Sequence, residues 1–149
     1  MSPDEPMMYR TREMADHLRR LDEPKGLYFD KDGRPIGMLT AAKLRDDPNY
    51  CRIGNDILAF PTGHVRVSTV WTAIDHGFGR TRAPMVRKTM VFETMVFGGR
   101  RWDHWQMRWR TGEQAQKGHA LFVEAVRLDW RRSKLDMAVT LLAYDDRTR

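Results

Sequence analysis

Four ionisable side chains in the middle of this chain are of types that move protons: Asp75, His76, Glu93 and His104. A carboxylate beside an imidazole is a general acid–base pair. Two carboxylates with two imidazoles are also a donor set for a divalent metal. Neither use has diagnostic spacing here. Asp75-His76 runs into Gly77 and reads as a turn. Glu93 and His104 flank Gly98-Gly99, a pair favoured in two-residue hairpin loops, so a hairpin would bring them face to face. The plainer alternative is a cross-strand polar contact that sets register and contributes a few tenths to about 1 kcal/mol. His119 falls inside a helical pattern and reads as a satisfied core or boundary histidine, while His17 and His64 carry no signal. No phosphate-binding loop, GxSxG elbow, HExxH pair or EF-hand loop is present. The single cysteine, Cys51, excludes an internal disulfide and a CxxC site and reads as a small buried hydrophobe. Neither a metal nor a cofactor is expected.

The same stretch carries a second chemistry, that of binding. Arg100, Arg101, Trp102, His104, Gln106, Arg108 and Arg110 follow one another within a few residues. Cations beside aromatic platforms suit single-stranded nucleic acid, because bases stack while phosphates pair. Protein interfaces are enriched in the same Trp, Met and Arg. Charge is concentrated here. Between positions 80 and 110 stand Arg80, Arg82, Arg87, Lys88, Arg100, Arg101, Arg108 and Arg110 against Glu93 and Asp103, and that excess equals the net charge of +6. A localised positive field attracts phosphate or an acidic protein surface.

The elements that would position these residues follow from periodicity. The chain of 149 residues fits one domain with a core of its own. Residues 1–24 read as a tail and a short helix, with Met14, His17, Leu18 and Leu21 on one stripe. Residues 25–133 form the domain, and 134–149 a C-terminal extension, read as helical and then frayed from Leu135, Ala138, Val139 and Leu142, although AVTLLAY also fits a strand. Within the domain, 27–30 reads as a strand, DKDGRP as a turn, and Thr40 as the cap of a helix that stops before Pro48. Residues 50–60 read as a strand interrupted near Gly54-Asn55-Asp56. In 64–74, alternation sets Val65, Val67, Thr69, Trp71 and Ala73 on one face. The strand 89–97 is apolar on both faces, which places it inside the sheet. With Gly98-Gly99 as a two-residue loop, Phe92 lies opposite Trp105 and Glu93 opposite His104; a four-residue loop pairs Glu93 with Gln106 instead. Either keeps Met90, Phe92, Val96, Trp105, Met107 and Trp109 on the core face and the cations on the other, whereas a bulge would swap the faces. Thr111-Gly112-Glu113-Gln114 is a capping box, and Ala115, Gly118, Phe122 and Val126 make the buried stripe of the main helix, with Gly118 allowing close approach to the sheet. The fold class is therefore α+β: a meander of about four antiparallel strands, one main helix across one face and small flanking helices.

The motifs STVW, DHGFG and FETMVFGG, with YFDKDGRP and DPNYCRIG before them and RTGEQAQKGH after, resemble an uncharacterised family of short bacteriophage and actinobacterial proteins. The resemblance spans roughly residues 27–127. It implies a phage-type accessory role and brings no catalytic residue with it. The basic link RTRAPMVRK departs from the Gly/Pro-rich, nearly uncharged link of similar proteins.

The expected function is a non-enzymatic binding module whose basic aromatic hairpin contacts a host protein or single-stranded nucleic acid. The alternatives are a small hydrolase-like enzyme using Glu93 and His104 with Asp75 and His76 nearby, and a structural, self-associating subunit. No apolar run approaches the roughly 20 residues that span a bilayer. With no signal-peptide pattern at the N-terminus, a cytoplasmic protein without a membrane partner is expected.

Overall fold

A computed structural model of the chain describes residues 7–75 and 89–145. His76 and the basic link with Arg80, Arg82, Arg87 and Lys88 lie outside the described residues. The architecture is α+β, built on a four-stranded antiparallel sheet, β3 (Arg52–Phe60), β4 (Gly63–Trp71), β5 (Phe92–Phe97) and β6 (Gln106–Trp109), in the order β3-β4-β5-β6. That is the expected meander. Before it come α1 (Met7–Leu21), the two-stranded ribbon β1 (Tyr28–Phe29) and β2 (Pro35–Ile36), α2 (Met38–Asp46) and α3 (Pro48–Cys51); after it come α4 (Gly112–Arg127) and α5 (Arg132–Asp145). None of these helices is long and apolar enough to cross a membrane.

Alternation sets the two faces of the sheet. Val65, Val67, Thr69 and Trp71 of β4 and Phe92, Thr94 and Val96 of β5 are all buried, and α4 lies over this face against all four strands. Its stripe is Ala115, Gly118, Phe122, Ala125 and Val126. Strand β4 ends earlier than its pattern, because Ala73 turns to a φ of 67° and the chain closes on β1 through an isolated bridge between Tyr28 and Ile74. Strand β3 is not broken at Gly54-Asn55-Asp56; a register irregularity between Arg52 and Gly54 absorbs the extra residue and pairing continues to Phe60.

The hairpin between β5 and β6 corrects the expected register. Phe92 pairs with Trp109, Glu93 with Arg108, Thr94 with Met107 and Met95 with Gln106. The double glycine does adopt positive φ, 83° and 73°, but the chain does not turn straight back. The Gly99 carbonyl accepts from both Trp102 N and Asp103 N, a helical turn in miniature, and the Asp103 carboxylate accepts from Gly98 N at 2.9 Å. His104, at φ 64°, then donates to the Val96 carbonyl, while Val96 N donates to Trp105 O. His104 and Trp105 thus share one partner, a bulge with a left-handed first residue. Relative to the two-residue loop, β6 is shifted by an even number of positions, so no side chain changes face.

Helix α4 is closed by a side chain at its start and by backbone at its end. Thr111 Oγ1 accepts from Gln114 N at 3.1 Å, and Gln114 Oε1 accepts from Arg110 N at 3.1 Å, one residue before the cap. At its C-terminus α4 ends in a left-handed Asp129, with Asp129 N donating to Val126 O and Trp130 N to Ala125 O. The chain then re-enters a helix, and Leu135 and Val139 of α5 join the core. The stripe expected on the N-terminal helix does not pack: Met14, Leu18 and Leu21 are all exposed.

Helix α2 starts earlier than expected, so Thr40 lies inside it and Gly37 takes the cap position with no side chain of its own. The cap comes from Asp22, which accepts from Thr40 N at 2.8 Å and from Thr40 Oγ1 at 2.7 Å. A Cβ at Gly37 would collide with the Asp22 backbone, which explains the glycine. The Thr40 hydroxyl and backbone amide hold the Asp22 carboxyl below its ordinary value against an opposing cost of desolvation, with Leu39 N and Lys43 adding lesser effects. A lowered folded-state value stabilises the fold above the unfolded carboxyl range and is lost as pH falls through the folded value. Asp22→Asn is therefore expected to lower the melting temperature at neutral pH. The gap from the parent should close as the buffer is taken below about pH 4; a gap that stays constant in thermal melts across that range would contradict the cap.

Candidate binding site

Of the residues expected to do proton chemistry, the described Glu93 and His104 are not brought together, and His76 lies outside the described residues. Glu93 faces Arg108, whose Nε donates to Glu93 Oε2 at 3.1 Å, with the two side chains 17% and 38% exposed. His104 sits at the bulge four positions along the chain, on the order of 10 Å away along a strand, and is exposed beside Asp103 at 3.4 Å. The Asp75 carboxylate accepts from Met90 N at 3.0 Å and so closes the start of the β5 segment. Among the described residues no three His, Cys, Asp or Glu side chains gather as a metal site.

A different polar chain does run through the core. His119 Nε2 lies 2.7 Å from Asp56 Oδ2, His119 Nδ1 lies 2.8 Å from Thr69 Oγ1, Thr69 Oγ1 lies 2.6 Å from Thr94 Oγ1, and Trp109 Nε1 donates to Thr94 Oγ1 at 2.8 Å. Asp, His and Thr in hydrogen-bonded sequence have the composition of a nucleophilic triad. Thr69 is 0% exposed, so no substrate reaches its hydroxyl. The chain is structural: it satisfies the two threonines that interrupt otherwise apolar inward rows. His119 is thus the satisfied boundary histidine its helical position implies, and its ring lies over Gly54, where a Cβ would meet it at 2.5 Å.

The binding residues divide into engaged and free. Arg101 Nη1 bonds Asp129 Oδ1 at 2.8 Å and so ties the hairpin to the end of α4. Trp102 is half-buried and stacks on Phe60 with centroids 5.8 Å apart. His104 and Gln106 are exposed, and Arg100 is exposed at the tip. Arg108 and Arg110 are half-buried on the face opposite α4, and Arg110 has no acidic partner among the described residues. The alternation of β4 adds a cation to this face, Arg66, whose guanidinium lies 4.6 Å from the Phe97 ring centroid. The helix that spans all four strands, α4, lies on the other side of the sheet.

Arg108 and Arg110 also border a cavity of about 310 Å³. That volume is at the small end of ligand sites. Its apolar walls are Met90 just before β5, Met107 and Trp109 of β6, and Val139 and Ala143 of α5. The helix expected in the C-terminal segment forms as α5, and what its spacing does not reveal is that it packs beside the edge of β6. Comparison with protein-family models, with curated proteins and with solved structures finds no match. What the fold and the site define is therefore a class by geometry: a small α+β protein with a helix-covered sheet face, a cation-bearing opposite face and an apolar cleft at one edge.

Proposed function

We propose that this chain is a non-enzymatic binding module, an accessory protein of the phage type its motifs resemble, that contacts an acidic surface of a host protein. The observation that carries this reading is the row of cations on the sheet face opposite α4: Arg66 on β4, Arg108 on β6 and Arg110 just after it, with Arg100 at the hairpin tip. The disposition of the indoles favours a protein over single-stranded nucleic acid. Stacking needs open aromatic faces. Trp71 and Trp109 are buried, Trp102 lies on Phe60, Trp105 lies under Arg132 and Trp130 under Lys134, which accounts for all five.

The test has two arms. Labelled single-stranded and duplex oligonucleotides are expected to give no anisotropy change even at about 50 mM salt, where unscreened phosphate attraction is strongest. Immobilised protein incubated with host extract is expected to retain an acidic protein that elutes as salt rises. Arg100→Glu with Arg110→Glu should abolish that retention without moving the melting temperature by more than about 2 °C, as surface substitutions generally do little to stability. Oligonucleotide binding with a steep salt slope, or retention indifferent to the charge reversal, would overturn the reading.

A further inference from the structure

We propose that the cleft between the outer edge of β6 and α5 is a docking groove for an extended peptide segment of a partner protein, one in which an apolar side chain is flanked by carboxylates. The proposal rests on the reading of the chain as a module for an acidic protein partner and specifies how that partner is held.

The edge itself is the first ground. Strand β6 is outermost in the sheet. Thr72 N donates to Val91 O, so the odd-numbered residues of β5 turn their backbone groups toward β4. Val96 N donates to Trp105 O and His104 N to Val96 O, so the even-numbered residues turn toward β6. By the same parity Met107 and Trp109 bond back to β5, while Gln106 and Arg108 present N–H and C=O to the side on which no described strand pairs. Arg110 N would be the next in that row, but Gln114 Oε1 already accepts from it. The open edge is therefore short and has a defined end, which limits indiscriminate strand pairing yet leaves room for one added segment.

Side-chain alternation then dictates the occupant. In a strand laid against Gln106 and Arg108, successive side chains point to opposite faces. Those on the α4 and α5 side enter the cavity of about 310 Å³ between Met107, Trp109 and Val139. Those on the other side meet the guanidinium row. Glu93 neutralises Arg108, and Arg110 remains without an acidic partner among the described residues, so that face is electropositive. Carboxylates at alternate positions around one large apolar residue match both walls at once.

The experiment pans a random-heptamer display library on the immobilised full-length protein and follows the enriched peptides by amide NMR. Acidic residues at alternate positions around a large apolar residue are expected. The largest shifts and slowed amide exchange should fall on Gln106 and Arg108. N-methylation of the central peptide amides should abolish binding, and Arg110→Glu should weaken it by at least about tenfold. Ala143→Trp, on the exposed side of α5, should block the cavity in a chain whose thermal melt is unchanged. Peptides that bind but shift residues away from β6 and α5, or that tolerate N-methylation, would overturn the groove while leaving the binding-module reading intact. Absence of any enriched peptide would overturn the groove as well; the retention of an acidic host protein decides the module reading separately.

Discussion

Gly118→Ala is expected to lower the melting temperature by about 5–15 °C, a loss of about 2–4 kcal/mol on the scale of a domain this size. Helix propensity alone predicts the reverse, since alanine gains about 1 kcal/mol over glycine in a helix interior. Packing decides the sign. A Cβ on Gly118 would stand 2.1 Å from Trp109 Cζ2 and 2.4 Å from Cε2, inside the indole itself. The ring has nowhere to go. Its Nε1 is held by Thr94 Oγ1 at 2.8 Å, it packs T-shaped against Phe122 with ring centroids 6.4 Å apart, and it is 3% exposed. Accommodating the methyl means moving β6 from α4 or breaking the buried hydrogen bond; overpacking costs about 1–3 kcal/mol and an orphaned buried donor about as much again. Thermal melts followed by circular dichroism check the size. A double-mutant cycle checks the cause: with Trp109→Leu in place, the methyl has room and Gly118→Ala should become neutral or stabilising. A parent-like melting temperature for Gly118→Ala alone would mean that the indole does not lie on this glycine.

That close approach was legible in the sequence, and the reason is instructive beside what was not. Gly118 interrupts a stripe of Ala115, Phe122 and Val126 at helical spacing, so its lack of a side chain had to matter on the buried face. The inward row of β4 was legible for the same reason: strict alternation leaves one assignment. The faces of the β5–β6 hairpin were readable because parity survives an even shift. Its register was not, because it depends on Asp103 reaching back to Gly98 N and on His104 adopting a φ of 64°, a conformation that histidine takes more readily than most residues but that its identity does not require. The cation row could therefore be placed on the correct side while Glu93 was given the wrong partner. The cleft at the β6 edge was illegible because one wall is α5. Residues 138–144, AVTLLAY, satisfy a strand pattern as well as a helical one. What decides between them is the left-handed turn at Asp129, which redirects the chain along α4 so that Leu135 and Val139 seal the core.

Thr94→Val should cost about 2–4 kcal/mol, although it keeps the shape of the side chain and lies in an otherwise apolar row. The hydroxyl is the central link of a chain whose ends have fixed polarity. Trp109 Nε1 can only donate, and the Asp56 carboxylate can only accept. Every hydrogen between them finds an acceptor in one arrangement: Trp109 Nε1–H to Thr94, Thr94 Oγ–H to Thr69, Thr69 Oγ–H to His119 Nδ1, and His119 Nε2–H to Asp56. Valine at position 94 leaves the indole donor without an acceptor and the Thr69 oxygen without its donor, both in a site that is 0% exposed at Thr69 and Thr94. Each orphan costs about 1–3 kcal/mol, whereas replacing both members of a buried pair by apolar groups is nearly neutral. The penalty should therefore fall by more than half when Thr94→Val is made in a Trp109→Phe background, a coupling that a simple volume effect cannot produce. Asp56, half in water, terminates the chain, and Asp56→Asn should cost no more than about 1 kcal/mol, in keeping with exposed ionic contacts. Long-range nitrogen–proton NMR on the His119 ring reads the polarity directly. The proton belongs on Nε2, and a ring protonated on Nδ1 instead would reverse the two hydroxyls, leave the Thr94 hydrogen without an acceptor and refute the chain as drawn.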